Sequence, residues 1–260
     1  MKLVFIDEFK PNSDKLNSDR LYGISVVVLD SAYYTNYKNG FEKAFTKLGW
    51  SREKELKGRY VYSSKIFEDI TIDQRLGFAE ELFKLSLSES GKKKRISVFI
   101  GIDSFDKKTG ESEVYVNLLC KVLNKIGRPS NKKQDKNLIA FFLDNNDEVT
   151  RKIKESDFYS VLSEKLHKNW IILEKPFFVS SSNLLPGIIF ADFISYFHQN
   201  FIDSNNFHAK IKERFLNLLD KSEKYIDDKE KEELKKYITN SRKKEQAARI
   251  LEVLRDIVYV

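Results

Sequence analysis

The sequence predicts an α/β fold: a sheet with helices on both faces, followed by a helical extension. Three observations carry this. Short runs rich in β-branched and aromatic residues alternate with longer stretches of helical periodicity. Two strand-like runs follow one another at the start, as in a hairpin. After Asn206 the sequence becomes Lys/Glu-rich and contains neither Pro nor Gly. The expected division is an α/β domain over residues 1–200 and a helical extension over 201–260, packed on the core or on a partner.

Met1–Ile6 is uniformly apolar, so it reads as a strand buried on both faces. "PNSDKLNSD" is a loop, and Tyr22–Asp30 is a second strand. Asn36–Trp50 places Tyr37, Phe41, Phe45 and Leu48 at helical spacing. "RYVYSSKIF" reads as a short edge strand. Asp73–Leu87 is helical, with Leu76, Ala79, Phe83 and Leu87 on one face. Arg95–Asp103 is a strand. Glu113–Ile126 is a helix stopped by "GRPSN". Asn137–Asp147 is a strongly apolar strand, and Val149–His167 is helical. "WIILEKPFFVSSS" is a strand interrupted at Pro176, the mark of an edge or a bulge. Asn183–Asn200 opens on an Asn cap and becomes a very apolar helix. Asn206–Val260 reads as two or three amphipathic helices, one carrying Phe207, Ile211, Phe215 and Leu218, another Ile250, Leu254, Ile257 and Val258.

The bulk numbers narrow the class. With 260 residues and 41% hydrophobic content the chain can bury a core, and general disorder is excluded. The balance of 46 Lys+Arg against 39 Asp+Glu leaves +7, which permits a polyanionic partner. One cysteine, Cys120, rules out an internal disulfide and fits a reducing compartment; its setting "YVNLLCKVL" is an apolar helix face. Asp7 and Glu8 interrupt the place where a leader's apolar region would lie. No apolar run approaches the roughly 18 residues of a membrane span. The expected location is the cytoplasm, with no membrane partner.

The chemistry is sought among the acids. Asp30 and Asp103, each before a polar segment, read as caps. Asp7 differs because Glu8 follows at once, and neighbours in a strand point to opposite faces. Asp144 ends the most hydrophobic strand. Asp192 lies inside "GIIFADFISYF", an otherwise apolar helix, where a carboxylate costs several kcal/mol unless it is paired or bound to a cation. The alternative for Asp192 is a core acid bonded to a hydroxyl or a lysine. Carboxylates from several elements, without a cysteine cluster and with three histidines, favour a hard cation, Mg²⁺ or Mn²⁺, over zinc. Two such ions activate water and stabilise the leaving oxygen in phosphodiester hydrolysis.

These residues resemble the family of domain of unknown function 3800. The resemblance rests on "FIDEFK", on "ELK" at Glu55–Lys57, on "FFLDNND", and on "VSSSNLLPGIIFAD", in that order, across roughly residues 1–199. Phe9 and Lys10 replace the Ser-Gly that usually follows the acids, and Ile189 stands where Gln is usual. The resemblance implies a ribonuclease H-like fold in which carboxylates converge at the ends of central strands and on a late helix. It implies Asp7, Glu55, Asp144 and Asp192 as the metal-binding and catalytic set, with Glu8 as an auxiliary ligand or support. It implies that Lys57 contacts a phosphate or holds Glu55, against the alternative of a solvated lysine in a charged stretch. Ser181 or Ser182 would bond the nucleic-acid backbone or cap the following helix.

The expected function is therefore a divalent-metal-dependent nuclease or nuclease-like phosphodiester hydrolase. Lys92, Lys93, Lys94, Arg95, Arg52, Lys54 and Arg59 are candidates for phosphate contacts. The rival is a non-catalytic binding or assembly protein on the same fold, dimerising or holding a partner through its C-terminal helices. A P-loop enzyme lacks its G-x-x-x-x-G-K-[ST] signature here, and a serine hydrolase lacks its G-x-S-x-G elbow.

Overall fold

The computed structural model describes residues 1–10, 20–61, 69–86, 96–105, 111–126, 137–144, 160, 162, 164, 170–179, 185–203 and 257–259. Strand β1 (Lys2–Phe9) pairs antiparallel with β2 (Arg20–Asp30), and β2 pairs antiparallel with β3 (Ile96–Phe105). On its other side β1 is parallel to β4 (Asn137–Asp144), with Ile6 opposite Leu143. Two three-residue strands, β5 (Trp170–Ile172) and β6 (Phe177–Val179), both run parallel to β4, at its start and its end. They form one edge interrupted by residues 173–176, the break expected at Pro176. Strand β7 (Ile257–Tyr259) is parallel to β3 on the far edge. The result is an open mixed sheet flanked by helices.

The helices are α1 (Tyr34–Leu48), the short α2 (Gly58–Val61), α3 (Ile72–Ser86), α4 (Glu111–Lys125) and α5 (Pro186–Asp203). Alternation along the strands sorts the core into two halves. Leu3, Phe5, Phe9, Val27, Leu29 and Ala140 meet α1, α3 and α5. Val4, Ile6, Tyr22, Ile24, Val26, Ile139, Phe141 and Leu143 meet α4 and Leu162. Helix α5 is apolar around its circumference because it is enclosed: it lies across β1 and β2 and is covered by α1 and α2. Its Gly187 sits on the Phe5 ring, where a Cβ would clash, so helix and strand approach closely. Phe41, Phe45, Phe78 and Phe193 interlock with ring centroids 5.7–6.2 Å apart, a contact range in which aromatic pairs add to burial. Helix α1 stops at Gly49, whose φ of 75° closes the last turn through N–H bonds to Phe45 and Thr46.

Three expectations are corrected. Arg59–Val61, read as part of an edge strand, lies in the helical turn α2. Ile257 and Val258, read as a helical stripe, lie in β7, where β-branched and aromatic residues complete a sheet edge. Asp103 does not end its strand: β3 continues to Phe105, and Asp103 accepts from Lys121 at 3.0 Å. Asp30 does cap, accepting from the Ala32 N–H at 3.4 Å. Cys120 is buried on α4, as its apolar setting implied. The remainder of the expected C-terminal extension, residues 206–256, and most of the expected helix over 149–167 lie outside the described residues. No described helix is long and apolar enough to cross a membrane.

Candidate active site

The geometry starts from strand parity. Asp7 follows Leu3 and Phe5 onto the α5 side of β1, whereas Glu8 follows Val4 and Ile6 onto the α4 side. On β4, Asp144 shares parity with Ala140 and Phe142 and so faces α5 as well. The pairing of Ile6 with Leu143 brings Asp7 and Asp144 to adjacent positions at the carboxyl ends of two parallel strands. Asp192, halfway along α5, faces them from the covering layer. Three acids that are 48 to 185 residues apart in the chain therefore share one side of the sheet.

Their electrostatics express this proximity. Burial pushes the Asp7 carboxyl well above the usual carboxylate range, and Asp192, Glu8 and Asp144 push it further. Asp192 is raised to about 6, chiefly by burial; the Gly58 N–H and Lys57 restrain the rise, while Asp144 and Glu55 add to it. Burial is the largest cause at both carboxyls, and at Asp192 the Lys57 cation ranks ahead of either neighbouring acid.

The surroundings of each acid follow from local structure. Gly58 opens α2 with an N–H that the helix itself cannot use, and it donates to Asp192 Oδ2 at 2.5 Å. A side chain at Gly58 would meet Tyr196 Cβ at 2.7 Å and the Asp192 carbonyl oxygen at 3.0 Å, so this approach of α2 to α5 needs glycine. The turn is held from behind by Arg75 of α3, a buried guanidinium that donates to the Tyr60 and Thr71 carbonyls. Just before α2, Lys57 Nζ lies 3.1 Å from Glu55 Oε1, both half-buried. Burial alone would lower the Lys57 pKa, but Glu55, Asp144 and Asp192 outweigh it and raise it. Lys57 is therefore a held cation rather than a solvated one.

Two hydroxyls flank Asp7. Ser25 of β2 is its direct cross-strand partner, fully buried, and its Oγ makes no hydrogen bond. Ser195, one helical turn beyond Asp192, tempers the Asp7 pKa without forming a well-shaped hydrogen bond. Phe9 closes this end: its ring lies on Gly23 and 6.2 Å from the buried His198 ring. His198 donates from Nδ1 to the Ile194 carbonyl at 2.8 Å, and burial lowers its pKa to about 4, so it is neutral at pH 7. Phe9 thus adds a buried aromatic ring to the core at this end.

The structure brings Asp7, Asp144, Asp192, Glu55 and Lys57 into one electrostatic neighbourhood. Glu8 lies on the opposite side of β1, near Tyr22 and Tyr115, whose pKa values are raised by burial first and by Glu8 second. Ser181, Ser182, Asn183 and Lys92–Arg95 lie outside the described residues. Arg52 pairs with Glu42 and covers Phe45, and Arg59 lies 4.7 Å over the Tyr60 ring; both are exposed. Among the described residues, no three His, Cys, Asp or Glu side chains stand close enough to hold a metal ion as they are placed. Carboxylate donors are of the type that suits a hard cation. Sequence reasoning missed Ser25, Ser195, the Gly58 N–H and Arg75. A serine inside "ISVVV" and another three residues after Asp192 were the available signals. Comparison with protein-family models gave no match, and neither did comparison with curated proteins.

Proposed function

We propose that the chain is a divalent-metal-dependent nuclease or nuclease-like phosphodiester hydrolase of the domain of unknown function 3800 family, on a ribonuclease H-like fold. The observation that carries this reading is the placement of Asp7 and Asp144 at neighbouring strand ends, with Asp192 above them on the same side of the sheet. Mutual repulsion among desolvated acids is the condition that a bound cation relieves. Asp7, Asp144 and Asp192, with Glu55, would hold Mg²⁺ or Mn²⁺, which in such sites activates water and stabilises the leaving oxygen. Lys57, charged and held beside Asp144 and Asp192, would meet the phosphate. Ser25 and Ser195 would orient the Asp7 carboxylate.

One observation favours the rival scaffold. Asp192 already accepts from the Gly58 N–H and has Lys57 nearby, which is how a structural core acid is satisfied. Asp192→Asn separates the two. It keeps the shape and removes the charge. In the nuclease reading the metal-free variant melts at or above the parent temperature, and Mg²⁺-dependent cleavage of DNA or RNA falls by orders of magnitude. In the scaffold reading the variant loses roughly 3–5 kcal/mol, as when a buried pair is broken, and the parent shows no metal response.

A further inference from the structure

We propose that Phe177 is a stacking platform for an unpaired base of single-stranded nucleic acid, beside the acid row. This rests on the nuclease reading and adds the strand form of its substrate.

The inference starts from sheet register. Phe5 of β1 is paired with Phe142 of β4, and Phe142 with Phe177 of β6. All three therefore stand in one row across the strands, on the α5 side. Their rings are stacked: Phe5 and Phe142 have centroids 5.0 Å apart at 21°, and Phe142 and Phe177 have centroids 5.3 Å apart at 18°. The row runs from core to solvent. Phe5 is buried, Phe142 is half-buried, and Phe177 is 43% exposed. A stack of near-parallel rings ends on a π-face directed along the row, here off the β6 edge of the sheet.

A lone exposed phenylalanine carries no meaning. This one continues an ordered stack and sits next to charge. The row one pleat further along is Asp7, Asp144 and Val179. Two residues of strand separate the rows by roughly 6.8 Å, a span that the sugar and phosphate of one nucleotide can bridge. A base laid on Phe177 would thus direct its neighbouring phosphate toward Asp144 and Lys57. The occupant is a base and not another apolar group for two reasons. The open face is planar and already continues a stack, and the chain's +7 charge together with Lys57 suits a polyanion. It is an unpaired base because duplex bases are stacked on each other and present no face.

The test uses the full chain and fluorescein-labelled oligothymidylate in EDTA, read by anisotropy, with the same strand made abasic and with a duplex. Phe177→Leu keeps apolar bulk and removes the π-face; Phe177→Trp enlarges it. Because the site is partly exposed, both variants should melt within a few degrees of the parent. Phe177→Leu is expected to weaken oligothymidylate binding about 5- to 100-fold, the equivalent of one lost base stack. Phe177→Trp should bind as tightly or tighter, while abasic and duplex binding stay unchanged in both. Equal binding of oligothymidylate by parent and Phe177→Leu overturns the inference. So does a change in sedimentation confined to Phe177→Leu, which would make the edge an interface with a second copy. Cleavage with Mg²⁺ is scored separately. A parent that cuts, with binding indifferent to Phe177, removes the platform and leaves the nuclease. A parent that binds through Phe177 and never cuts keeps the platform and removes the nuclease. A parent that neither binds nor cuts removes both.

Discussion

The two sides of strand β1 carry opposite solutions to the same problem of placing a carboxylate at the end of a buried strand. On the α4 side, Glu8 is half-buried near Tyr22 and Tyr115, and the charges beyond it balance: Lys10 pairs with Glu111 at 2.8 Å and lies 5.9 Å over the Tyr22 ring. On the α5 side, Asp7 is almost fully buried and faces Asp144 and Asp192, with Lys57 as a cation acting on Asp192. Balanced charge is what a fold needs for its own stability. Excess buried charge of one sign lowers stability and is kept where something else compensates it. The contrast is the reason for placing the proposed cation on the α5 side and not on the α4 side.

The largest expected effect tests that assignment directly. Asp144→Asn should lower Mg²⁺-dependent cleavage by about a hundredfold or more, as loss of a cation ligand does. Glu8→Gln should lower it by less than about tenfold, since Glu8 acts from the other side of the strand. Single-turnover cleavage of both variants measures the difference, and equal losses would erase the distinction between the two sides.

A smaller effect concerns how Asp192 is held. Gly58→Ala forces a methyl against Tyr196 and the Asp192 carbonyl. Overpacking of this kind costs about 1–3 kcal/mol, and it displaces the N–H that restrains the Asp192 pKa. Urea denaturation should show the loss, and NMR titration should show Asp192 moving above about 6. Unchanged stability would mean that α2 is not seated on α5 as described.

The smallest effect is a pH dependence of the metal-free protein. Both Asp7 and Asp192 titrate above the ordinary aspartate value of about 3.9. A carboxyl raised in the folded state stabilises the fold fully below its unfolded pKa, and that contribution is lost as pH rises through the folded one. The melting temperature without metal should therefore fall between about pH 4 and pH 7. Asp192→Asn should flatten part of the slope, and Mn²⁺ at pH 7 should recover what the parent lost. A parent that melts higher at pH 7 than at pH 4 without metal would contradict the raised pair.

Much of this was legible in the sequence for identifiable reasons. Strand alternation alone puts Asp7 and Glu8 on opposite sides. The apolar circumference of α5 marks Asp192 as enclosed, and Pro176 marks the broken edge between β5 and β6. Other features were not legible because they depend on contacts between distant segments. The bond from Gly58 to Asp192 joins residues 134 apart, and nothing in "ELKGRYV" announces it. Arg75 looks like a surface arginine until α2 and α3 close over it. Ile257 and Val258 fit a helical stripe by spacing, and the pairing of β7 with β3 overrides that local pattern. Phe9 reads as a departure from the motif that the sequence resembles, but its packing on Gly23 required the register of β1 with β2.

The proposed nuclease needs a cation on the α5 side of the sheet. A crystal soaked in Mn²⁺ and measured at the manganese absorption edge tests it most directly. The account predicts an anomalous peak enclosed by the Asp7, Asp144 and Asp192 carboxylates, with metal–oxygen distances of about 2.1–2.2 Å, and its disappearance in Asp192→Asn. A fully soaked crystal with no peak among these three side chains, or a peak on the Glu8 side of β1, would contradict it.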